Sequence, residues 1–115
     1  MRHLLLVATL IAVPLLAVGC SSSSPPACDT PTETTTVDMQ DLRFAPACVS
    51  STADQTLTLV NADDTPHTYT IKGTAIDVKI EGGATTQAPL TGVAPGTYAV
   101  TCLYHPQMTS TLKIT

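Results

Sequence analysis

The stretch GTYAVTCLYHPQMTSTLKI, residues 96–114, decides what kind of fold this chain adopts. Tyr98 and Val100 alternate with Thr97 and Thr101, and Leu112 and Ile114 alternate with Thr111 and Lys113. Successive side chains of a strand point to opposite faces, so each run carries one apolar and one polar face. Ala94-Pro95-Gly96 before the first run has turn chemistry. Between the two runs stand Cys102, His105 and Met108, spaced as Cys-x-x-His-x-x-Met.

The same period recurs upstream. Val37 and Met39 alternate with Thr36 and Asp38, and Leu57 and Leu59 with Thr56 and Thr58. The latter run ends at Asn61-Ala62-Asp63-Asp64, whose paired acids read as a solvated turn. Tyr69 and Ile71 alternate with Thr68 and Thr70. Ile76, Val78 and Ile80 alternate with Asp77 and Lys79, closed by Gly82-Gly83. No stretch of the domain carries a helical stripe. The pattern predicts an all-β fold, a Greek-key β-sandwich or barrel of about seven strands over residues 34–115.

Composition narrows the function classes. The chain has 115 residues, with 12% charged, no Trp and a single Phe, which argues against a coiled coil or long bundle. Setting aside residues 1–19 leaves Arg43, Lys72, Lys79 and Lys113 against nine acidic residues, a balance of −5. A phosphate-backbone binder needs clustered Lys and Arg, so no nucleic-acid partner is expected.

The N-terminus reads as an export address. Arg2 precedes a mostly apolar stretch from Leu4 to Val18, shorter than the roughly 20 residues of a spanning helix. Residues 1–19 are therefore expected to be a signal peptide. Leu16-Ala17-Val18-Gly19-Cys20 resembles the lipobox of bacterial lipoproteins, with Ala17 where Leu, Val or Ile is usual. That resemblance implies a lipid on Cys20 and membrane anchoring of an exported protein. The alternative is an ordinary secretory signal with Cys20 left as a thiol. Residues 20–33, rich in Ser and Pro, read as a tether.

Phase brings the chemistry together. His67 is in phase with Tyr69 and Ile71, Cys102 with Tyr98 and Val100, and Met108 with Leu112 and Ile114. All three are expected to point inward. Singly, each has a bland reading: a structural histidine, a buried thiol, core filling. Jointly, two His and one Cys in a plane with a weak axial Met form the ligand set of a blue-copper site. Thiolate and thioether suit Cu(I), while imidazole suits both oxidation states. The expected cofactor is one copper ion, with zinc the main competitor for the His, Cys, His set.

At these residues the chain resembles the cupredoxins, in particular the plastocyanin, pseudoazurin and amicyanin group. Pro66-His67 looks like that family's first ligand segment, and Gly96-Thr97-Tyr98, Cys102, His105-Pro106 and Met108 look like its last strands and ligand loop. Phe44-x-Pro46 matches an early feature. Two positions depart from the family. Thr68 stands where an Asn often ties the two ligand segments together, and Ser110 where a Gly is frequent. The resemblance implies metal ligands His67, Cys102, His105 and Met108, with His105 as the solvent-near electron port where redox proteins dock. Four cysteines allow three full pairings. With Cys20 assigned to lipid and Cys102 to metal, Cys28 and Cys48 remain as a disulfide, worth roughly 3 kcal/mol by the chain-entropy model.

The functional expectation is an extracytoplasmic, monomeric carrier of single electrons rather than an enzyme, with no small-molecule substrate. A copper-delivery protein using the same ligands is the rival, and a metal-free adhesive sandwich is the third reading.

Overall fold

Alternating runs bury one face each, and here those faces close on a single core. A computed structural model describes residues 27–115. The expected signal peptide 1–19, Cys20 and the first part of the expected tether lie outside them. Ten strands follow in order: β1 Thr32–Glu33, β2 Thr36–Gln40, β3 Arg43–Ala45, β4 Cys48–Ser51, β5 Thr56–Asn61, β6 His67–Thr70, β7 Asp77–Ile80, β8 Thr85–Pro89, β9 Gly96–Thr101 and β10 Thr109–Ile114. Among the described residues no helix is long and apolar enough to cross a membrane.

The strands form two sheets, one ordered β1-β4-β10-β9-β6-β7 and the other β3-β2-β5-β8. Val37, Met39, Leu57 and Leu59 come from the smaller sheet. Tyr69, Val100, Leu112 and Ile114 come from the larger one, and all eight are sealed from solvent. Burial of a side chain of this size contributes about 1.5–3 kcal/mol, so this shared core is the main source of stability.

The six alternating runs are β2, β5, β6, β7, β9 and β10. The expected count of about seven is corrected to ten by the short strands β1, β3, β4 and β8. Each of β3, β4 and β8 buries one large or small apolar residue, Phe44, Val49 and Ala88 respectively. One inward residue makes no period, so such strands are silent in the sequence. β1 lies at the end of the stretch read as tether; it pairs Thr32 with Val49 and Glu33 with Ser50. A Cys28–Cys48 disulfide, with Cα atoms 5.6 Å apart, fastens the chain just before it.

β6 departs from simple alternation, because all four of its residues are buried. Its hydroxyl-bearing face is covered as well as its apolar one. β6 begins at His67, β9 ends at Thr101 and β10 begins at Thr109, so the connections 62–66 and 102–108 meet at one end of the sandwich. The β2–β3 hairpin turn has Asp41 at φ 53° and Leu42 at φ 59°. Tight hairpin turns of this hand favour Asn-Gly, and two side-chain-bearing residues there need support from elsewhere.

Candidate metal centre

The segment that delivers His67 is built around Asn61 and Asp63. Asn61 is buried; its amide donates to the carbonyls of Thr65 (2.9 Å), Ile80 (3.2 Å) and Glu81 (3.1 Å), and its oxygen accepts the Asp63 N–H (3.0 Å). Gly82 fits against this loop only because it lacks a side chain: a Cβ there would meet the Asp64 carbonyl oxygen at 2.3 Å. The Asp63 carboxylate accepts the N–H groups of Asp41 (2.8 Å) and Leu42 (3.1 Å), which is the support the left-handed turn requires. The same carboxylate lies 2.8 Å from His67 Nε2. The hydrogen bond from His67 holds the Asp63 carboxyl below the usual carboxylate range; burial opposes this, and the Leu42 and Asp41 N–H groups add to it.

A carboxylate only accepts, so the imidazole proton of His67 sits on Nε2 and the Nδ1 lone pair faces the other way. It faces Cys102 and His105. Those two residues lie on the 102–108 loop, closed by the Met108 N–H on the His105 carbonyl (2.9 Å) and the Cys102 N–H on the Met108 carbonyl (3.0 Å). Met108 is buried at its end, whereas Leu103 and Tyr104 are 51% and 50% exposed.

Three donor atoms converge. His67 Nδ1 is 3.2 Å from His105 Nδ1 and 3.8 Å from Cys102 Sγ, and Cys102 Sγ is 3.6 Å from His105 Nδ1. The centre of a triangle with these sides lies about 2 Å from each corner, close to metal–imidazole and metal–thiolate bond lengths. His67 and Cys102 are wholly buried and His105 is partly so. Two imidazole nitrogens and one thiol sulfur aimed at a common, largely buried point form a donor set that fits a soft or borderline metal ion.

Two residues gained a role that sequence reading did not give them. Asp63, whose sequence context reads as a solvated turn, is the partner of His67. The i, i+4 spacing of Asp63 and His67 was the available signal, but it becomes informative only once the loop's bend is known. Thr68 was counted as the loss of an Asn tie. Its hydroxyl instead accepts the Leu103 N–H at 2.8 Å, and its own N–H donates to Cys102 Sγ at 3.3 Å. The link between the two segments is made by a different side chain.

A family model described as a cupredoxin-like domain matches residues 8–114. Among solved structures, amicyanin from Paracoccus versutus is 18% identical, with a TM-score of 0.62, covering 76% of this chain and 86% of that one. A mutant amicyanin in its Cu(I) form is 18% identical at a TM-score of 0.61, covering 81% and 94%. A mutant amicyanin in its reduced state is likewise 18% identical at 0.61, covering 82% and 94%. At such identities the likeness shows the fold. No curated protein matches the chain.

Proposed function

The chain belongs to the cupredoxin-like domain family, and from that premise we propose that it is an exported carrier of single electrons that holds one copper ion. His67, Cys102 and His105 would be its strong ligands and the thioether of Met108 a weak one. The observation that supports this is the triangle of two imidazole nitrogens and one sulfur around a common point. Bound there, copper supplies a one-electron Cu(I)/Cu(II) couple.

The chain's own residues do the rest. Asp63 keeps the Nδ1 lone pair of His67 aimed at the centre, and the Thr68 N–H donates to the sulfur of Cys102. With Met108 as a fourth ligand the donors would fill four positions and leave none for a substrate, in keeping with a carrier rather than a catalyst. The exposed large apolar side chains among the described residues are Leu42, Leu103 and Tyr104. Leu42 belongs to the turn held by Asp63, and Leu103 and Tyr104 precede His105. A redox protein docking on this end would come within a short path of His105. Export through residues 1–19 and a lipid on Cys20 would keep the domain at a membrane surface, with residues beyond it as spacer.

Copper titration of residues 27–115 tests the proposal. The expected result is one equivalent of Cu(II) with an intense thiolate-to-copper absorption, bleached and restored reversibly by reductant and oxidant, and lost in Cys102→Ser. A colourless Cu(I) complex that yields its metal to an acceptor would favour copper delivery instead. Absence of stoichiometric binding would sink both.

A further inference from the structure

At the metal end, strands β6 and β9 part company. Their register contains the single pair Thr70 and Thr101, so no ladder joins His67-Thr68 to Cys102-Leu103. Two backbone donors that a longer ladder would have used go elsewhere. The Thr68 N–H reaches Cys102 Sγ, and the Leu103 N–H reaches Thr68 Oγ1. Thr68 is 4% exposed and Thr70 7% exposed, so their hydroxyls must find partners inside the protein.

They find each other. Thr70 Oγ1 is 3.0 Å from Thr68 Oγ1 and 2.9 Å from Asp77 Oδ1, across the β6–β7 pair in which Thr70 faces Asp77. A carboxylate only accepts, so the one hydroxyl proton of Thr70 goes to Asp77. The Thr68 hydroxyl must then donate to Thr70, leaving its oxygen to accept from Leu103. The chain runs in one direction throughout: Leu103 N–H to Thr68, Thr68 to Thr70, Thr70 to the Asp77 carboxylate. Aligned bonds of this kind polarise one another, and removing a middle member loosens both neighbours.

We propose that Thr70 and Asp77 are positioning residues for the metal centre, acting through Thr68 to fix the spacing between the His67 and Cys102 segments. Neither touches the donor atoms. Their function stands in for the missing ladder: they keep the triangle of donors at one size whether or not an electron is present. This rests on the copper reading for its consequence, but the hydrogen-bond chain itself belongs to the metal-free protein and is tested there.

The test uses Thr70→Val, which keeps the shape and removes the hydroxyl, Thr70→Ser, which restores it, and Asp77→Ala at an exposed position. In the metal-free proteins, amide hydrogen exchange is followed at Leu103, with Val100 of β9, paired with Ser110 of β10, as the internal reference. Exchange at Leu103 is expected to quicken about tenfold in Thr70→Val, less in Asp77→Ala, and to return to the wild-type rate in Thr70→Ser, with Val100 unmoved. After copper loading, the thiolate-to-copper band and the midpoint potential should shift in Thr70→Val and recover in Thr70→Ser. Should Thr70→Val not fold, Asp77→Ala carries the same reading. Wild-type exchange at Leu103 in Asp77→Ala and in a folded Thr70→Val, or no recovery in Thr70→Ser, overturns the proposal. Failure of the wild-type protein to take up copper overturns the function instead, and leaves the exchange result standing.

Discussion

Residues 61–67 deliver His67 through side-chain hydrogen bonds among themselves and to two neighbouring segments, whereas residues 102–108 deliver Cys102 and His105 through a loop closed by two backbone bonds. The first is braced, with Asn61 and His67 buried at its two ends. The second turns outward, with Leu103 and Tyr104 half-exposed beside a partly buried His105. The contrast teaches a division of labour within one small site. One imidazole is fixed by the body of the protein, and the other stands nearer the surface. Under the proposed function, a centre that changes little on electron transfer and still exchanges electrons with a partner would need both.

The largest expected effect comes from unbracing the first segment. Asp63→Ala removes the acceptor for two strained turn N–H groups and for His67 at once. Loss of the two turn bonds should cost about 2–4 kcal/mol of stability in chemical denaturation. Copper affinity should fall by about 10–100-fold, as is usual when a ligand's hydrogen-bond partner is lost. Asp63→Asn, which keeps one acceptor oxygen, should fall between. Wild-type affinity in Asp63→Ala would erase the distinction between a braced and an offered histidine.

A second effect sharpens the buried side of the comparison. Tyr69, two residues along β6 from His67, is wholly buried, and its ring meets Phe44 edge-on at 5.5 Å between centroids. Its hydroxyl has no hydrogen-bond partner among the described residues. Burial pushes its pKa well above the usual tyrosine value. The folded state therefore keeps the proton longer than the unfolded chain does. Tyr69 contributes stability that is intact below the unfolded value near pH 10 and is lost above it, at about 1.4 kcal/mol per pH unit, until the folded value is reached. An alkaline absorbance titration should show one of the three tyrosines ionising only as the fold opens. Ionisation of all three in the intact fold would show that the floor beneath His67 is open to water.

The smallest effect on stability belongs to the offered side. Leu103→Ala should change folding stability by no more than about 0.5 kcal/mol and leave the copper absorption as it is, while slowing electron exchange with a redox partner. A large loss of stability would mean that Leu103 packs the loop rather than presenting it.

Much of this was legible in the chain. Period-two alternation marked β2, β5, β6, β7, β9 and β10 because each repeats its inward residue at least once. The phase of His67 and Cys102 with their strands pointed both side chains inward, and both are wholly buried. What escaped notice had no local signature. β3, β4 and β8 each bury one apolar residue, and one apolar residue has no period. Asp63 looked like an ordinary turn acid because its three donors come from the β2–β3 turn and from the start of β6. Thr68 and Thr70 looked like the polar face of an exposed strand until Asp77 and the ligand loop were seen to cover them.

By itself the amino-acid order determined the strand faces and which donor chemistry the domain carries, because alternation and side-chain type are properties of neighbours in the chain. Only the tertiary structure decided that three of those donors share a centre, that Asp63 orients one of them, and that a threonine chain replaces a missing stretch of sheet. Hydrogen bonds between residues twenty to forty positions apart depend on how loops bend over one end of a sandwich, and that bend is set by packing rather than by any short run of sequence.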